Sequence, residues 1–108
     1  MCNFQKARVA YKWQKRAEQI HQETGQDCDQ VARQIVREMK ADGLVINQDF
    51  VAVYGRIDGT RHMCLEMWGK NCKPKNGKPV FKFNGYRIDG TAPGHKMEGI
   101  WKGEYGQS

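Results

Sequence analysis

The sequence predicts an α+β domain: two N-terminal helices packed against one face of an antiparallel β-sheet. Three observations lead there. Before Gly43 the apolar residues recur about every 3.6 positions, and after it they alternate with period two. Asp-Gly and Asn-Gly turn signals separate the alternating runs. The length, 108 residues, is that of one domain (1–108), enough to bury a core without disulfide or metal staples.

The first helix is expected over about residues 5–22. Val9, Trp13, Ala17 and Ile20 fall on one face of it, and Gly25 ends or follows it. The second begins near Asp27. Cys28, Val31, Ala32, Ile35, Val36 and Met39 form an i, i+3, i+4, i+7 stripe. Asp27 is a natural N-cap, with Gln30 three residues on as in a capping box, and Gly43 stops the helix. Then "DFVAVYGRI" and "HMCLEMWG" alternate on either side of the turn "DGT". On the second run Met63, Leu65 and Met67 share one face, and His62, Cys64, Glu66 and Trp68 the other. "GKNCKPKNGKP" reads as a basic loop. "VFKF", the turn "NG" and "YRID" read as another hairpin, and "MEGIW" as a last strand. The pentapeptide "RIDGT" occurs at 56–60 and again at 87–91, with no longer repeat around it. The duplication therefore reflects turn chemistry.

Composition narrows the function classes. No segment is long and apolar enough to span a bilayer, and "MCNFQKARVAYKWQKR" lacks the apolar core of a signal peptide. The expectation is a cytoplasmic protein with no membrane partner. Cys2, Cys28, Cys64 and Cys72 form no C-x-x-C pair, which argues against a structural zinc site; no metal or cofactor is expected. The net charge of +6 is clustered, with Lys70, Lys73, Lys75, Lys78 and Lys82 in a stretch free of acids. Such a patch suits an acidic protein partner; no nucleic-acid reader motif accompanies it, so nucleic acid is the less favoured partner.

One arrangement suggests catalysis. Cys28 lies in the first turn of the second helix, where free N–H groups and the helix dipole favour a thiolate and lower its pKa. A thiolate nucleophile needs a histidine base, and the histidine an orienting acceptor. His62 opens a strand just after a hairpin turn, and Asp89 closes a later one. Each residue also has an ordinary reading: Cys28 as a core residue, His62 as an edge histidine, Asp89 as a turn residue like Asp58. The order Cys, His, Asp on a helix and two neighbouring strands is what favours a triad.

"DCDQVARQIVREMKADGL", "RHMCLEMW" and "GYRIDGTAP" resemble the nucleophile helix, histidine strand and aspartate strand of the transglutaminase-like superfamily, relatives of papain-type cysteine peptidases. The three pieces span about two-thirds of the chain. The resemblance implies a minimal transglutaminase-like core, with Cys28 as nucleophile, His62 as general base and acid, and Asp89 as the group holding the imidazole. The activity implied is acyl transfer from a peptide or glutamine-type carboxamide: a cysteine peptidase or amidase if water resolves the thioester, a transglutaminase if an amine does. The substrate would be a protein or peptide. Gln22 and Gln26 are candidates for the oxyanion hole, and Cys64 and Trp68 for the cleft. His95 is a weaker candidate base. The rival reading is a non-catalytic module on the same fold, such as a phage or mobile-element accessory protein, binding an acidic protein or nucleic acid through the basic loop.

Overall fold

The computed structural model describes residues 3–67 and 86–103. Two helices pack on a four-stranded antiparallel sheet, as the change of period predicts. Helix α1 spans Asn3–Thr24 and buries Trp13, Ala17 and Ile20 of the expected face together with Ala10, while Val9 is partly buried. Gly25, at φ 68°, closes it by donating its N–H to the His21 carbonyl at 2.9 Å. Helix α2 spans Cys28–Ala41. Both arms of the capping box form: Gln30 N–H donates to Asp27 Oδ1 at 2.9 Å, and Asp27 N–H to Gln30 Oε1 at 3.1 Å. Its stripe from Val31 to Met39 is fully buried.

Strands β1 (Phe50–Ile57) and β2 (Thr60–Met67) form a hairpin around Asp58 and Gly59. Their φ values of 50° and 78° suit a two-residue turn whose twist matches that of the flanking strands. Strand β3 (Tyr86–Ile88) pairs with the far edge of β2, and β4 (Glu98–Gly103) with β1. The order is β3-β2-β1-β4. The "VFKF" strand expected opposite β3 lies outside the described residues; among those described, β3 pairs with β2.

Alternation along the strands separates two cores. Phe50, Ala52, Met63, Leu65, Met67 and Ile88 join the helix stripes in the larger one, with α1 against β3 and α2 against β2. Val51, Val53 and Cys64 face the other way and are covered by Met97 from the segment between β3 and β4.

Candidate functional site

The strand register brings the histidine and the aspartate together. His62 follows the β1–β2 turn by two residues, so the turn fixes where it enters the sheet. Leu65 pairs with Ile88, which puts the next residue, Asp89, level with Cys64 and one side-chain step from His62. His62, Cys64 and Asp89 are all buried, and their imidazole, thiol and carboxylate atoms lie within 4.8 Å of one another.

The central contact is a hydrogen bond of 2.6 Å between His62 Nε2 and Asp89 Oδ2. Burial alone would raise the Asp89 pKa. The Ala92 N–H, His62 and Arg87 outweigh it and hold the carboxyl below its ordinary range. With Asp89 ionised, Nε2 must be the donor, so the neutral ring presents Nδ1 as its acceptor. Among the described residues nothing bonds to that Nδ1. A histidine oriented in this way is prepared to take a proton.

Asp89 is the most heavily bonded side chain in the molecule's described part. Oδ1 accepts from the Ala92 N–H at 3.0 Å and the Thr91 N–H at 3.2 Å. Oδ2 also accepts from Arg87 Nε at 3.0 Å and Nη2 at 2.5 Å. Asp89 is thus a turn residue and a histidine partner at once. Its backbone is clamped from α1: Gln14 Nε2 donates to the Asp89 carbonyl at 2.8 Å, and the Asp89 N–H donates to Gln14 Oε1 at 2.7 Å. Neither Arg87 nor Gln14 stands out as a site residue in the sequence. Arg87 had a signal, since it lies two residues before Asp89 and therefore on the same strand face. Gln14 had none, being 75 positions away.

Cys28 sits at the first position of α2, half-buried against the helix-side core. Its thiol lies near the backbone N–H of Met63, the residue after His62, and donates to Asp29 Oδ1 at 3.9 Å. No hydrogen bond joins it to His62 in this arrangement. The expected lowering of its pKa is not found: burial raises it, the Met63 N–H opposes, and Asp29 and Asp27 raise it further. The acidic residues that stabilise the helix start repel a thiolate placed beside them.

Cys64 is 2% exposed, with its thiol 3.6 Å from Met97 Sδ. Burial, then the charge of Asp89, pushes its pKa to about 12. The unfolded thiol ionises near pH 8.5, so above that pH the unfolded chain loses a proton that the native state keeps. Stability therefore falls as pH rises, until the folded thiol ionises as well. We expect wild-type stability to drop by about 1.4 kcal/mol per pH unit between pH 9 and 11 from this residue. Cys64→Ala should lose that slope in urea unfolding. An unchanged slope would show that other groups carry the alkaline sensitivity.

The remaining candidates separate. Gln22 is exposed near the end of α1. Gln26 is half-buried two residues before Cys28, and its Oε1 is buried without a hydrogen bond. His95 is exposed and meets the site only through its carbonyl, which accepts from Arg87. Trp68 and Lys70, Lys73, Lys75, Lys78 and Lys82 lie outside the described residues. No helix among the described residues is long and apolar enough to cross a membrane. In comparisons with known proteins the chain matches no family model, no curated protein and no solved structure.

Proposed function

We propose that this protein is a thiol acyl-transfer enzyme of the transglutaminase-like kind, with Cys28 as nucleophile, His62 as base and Asp89 as the group that orients it. The observation that carries the reading is the buried His62 Nε2–Asp89 Oδ2 bond, with the Cys28 thiol on the backbone of the very next residue, Met63. Cys64 is the poorer nucleophile, because it is enclosed and holds its proton up to about pH 12.

The chemistry follows from the positions. The Cys28 Sγ–H bond breaks as its proton passes to His62 Nδ1, and the sulfur electron pair attacks the carboxamide carbon. The carbonyl π pair moves to oxygen. The Cys28 N–H, first in the helix and without an intrahelical acceptor, is a donor for that oxyanion. Collapse expels the amine, which takes the proton from His62, and leaves a thioester. Water or a second amine then attacks the thioester, giving its proton to His62, and the thiolate leaves and is reprotonated. Asp89 stays ionised throughout and stabilises the imidazolium. The thiol, which packs with the helix-side core, must first leave its resting contact with Asp29 to reach the His62 ring.

The test is alkylation with iodoacetamide, mapped by mass spectrometry. At pH 7 Cys28 should react at least tenfold faster in the wild type than in His62→Ala, with Cys64 unreactive in both. A Cys28 rate that ignores His62 would sink the assignment.

A further inference from the structure

The helices leave one part of the sheet uncovered, at the end of the β1–β2 hairpin beside β4. On that patch Tyr54 pairs directly with Trp101, and Arg56 with Arg61. Residues facing each other across strands share a face, and Tyr54 and Arg56 are two apart on β1, so all four side chains lie on one side. They line an open groove of roughly 200 Å³, with Gly55 and Gly99.

Two features of this groove lack a reason within the fold. Like charges directly opposite one another on adjacent strands are destabilising. Yet Arg56 and Arg61 are register partners, both exposed, and neither has an ion-pair partner among the described residues. Glu98 is level with Arg56 on β4 without forming a salt bridge to it. Beside them Trp101 is 46% exposed, with its ring 5.1 Å from that of Tyr54 and the planes at 36°. Arg61 lies 6.0 Å from the Tyr54 ring.

We infer that this groove binds single-stranded nucleic acid, a base stacking on Trp101 and flanking phosphates taken by Arg56 and Arg61. A phosphate on each guanidinium offsets their mutual repulsion. An exposed indole gives a flat π surface that any base can use, whatever its sequence. An acidic peptide would satisfy the arginines but has no flat group for the indole, so the combination favours nucleic acid. None of its lining residues belongs to the His62–Asp89 pair, and the inference stands whether or not the acyl-transfer reading holds.

Fluorescence anisotropy with labelled oligo(dT) of twelve nucleotides tests this. Binding should weaken with salt, and Arg56→Ala/Arg61→Ala should lower the log–log salt slope by about 1.4, two phosphates' worth. Trp101→Ala should weaken binding about fivefold or more while keeping the wild-type salt slope. Tyr11→Ala, an exposed aromatic on α1, should change nothing. Three results would overturn the inference: no binding at low salt, competition by polyglutamate as effective as by unlabelled oligo(dT), or binding lost in Lys73→Ala/Lys75→Ala/Lys78→Ala but kept in Trp101→Ala.

Discussion

Replacing Gly90 by alanine should destabilise the protein by about 3 kcal/mol, the upper part of the range for overpacking a core. A Cβ at this position would stand 2.4 Å from the Ala17 carbonyl oxygen, 2.8 Å from its carbon and 2.9 Å from Val31 Cγ1. The first two atoms are backbone of α1, so no side-chain rotation relieves the clash. Either α1 moves off the sheet or the chain after β3 moves away from it. The second response pulls Asp89 from Gln14 and His62, so the site is lost with the packing. Denaturant unfolding should show the midpoint fall. Gly94→Ala is the control, since a Cβ there meets nothing within 4 Å, and its midpoint should stay within about 0.5 kcal/mol of wild type. Equal, small effects of the two would mean that α1 and the β3 end are not packed this closely.

Asp89→Asn should be the most damaging isosteric change at the site. It keeps the shape of the side chain and removes the charge that His62 and Arg87 both meet. Removing one partner of a buried, hydrogen-bonded charge pair costs about 3 kcal/mol. The pH dependence follows from the lowered pKa of Asp89. A depressed carboxyl contributes stability that is complete above its unfolded pKa, near 3.9, and is lost as pH falls through the folded value. Wild type should therefore lose stability below about pH 4, and Asp89→Asn should flatten that acid limb. If the acyl-transfer reading holds, Asp89→Asn should also lower turnover by about 10²-fold or more, because an amide cannot stabilise the imidazolium. Asp58→Asn, in the identical pentapeptide, should stay within about 0.5 kcal/mol. Its φ of 50° is one that asparagine tolerates in a hairpin turn. Similar effects at positions 58 and 89 would remove the distinction between the two copies of "RIDGT".

Much of the fold is legible in the residues, because the signals are local. The capping box at Asp27 and Gln30, the α2 stripe, the Asp58-Gly59 turn and the alternation through β2 each depend on neighbours within a few positions. The strands carrying His62 and Asp89 are expected to be neighbours, but the register of β3 on β2 was not legible. "FNGY" looks like a hairpin turn, and nothing local says where along β2 Tyr86–Ile88 lies. The site divides in the same way. His62 and Asp89 could be chosen because one follows a recognisable hairpin turn and the other closes a strand. The Cys28 pKa could not, since helix position alone argues for lowering while burial and two adjacent carboxylates decide for raising.

The helices, their buried faces, the β1–β2 hairpin and the face each β2 side chain takes can be read from the residues alone, since all follow from chain periodicity and turn residues. The family resemblance pairs Asp89 with His62; what else meets Asp89 is a matter of tertiary contacts alone. The β2–β3 register brings His62 to it, Gln14 reaches it from α1, and Arg87 folds back on it, while Gly90 lets the helices come close enough for this to happen. Those contacts link positions far apart in the chain, and their strength depends on exclusion of water. Neither sequence separation nor solvent exclusion is encoded in a local pattern.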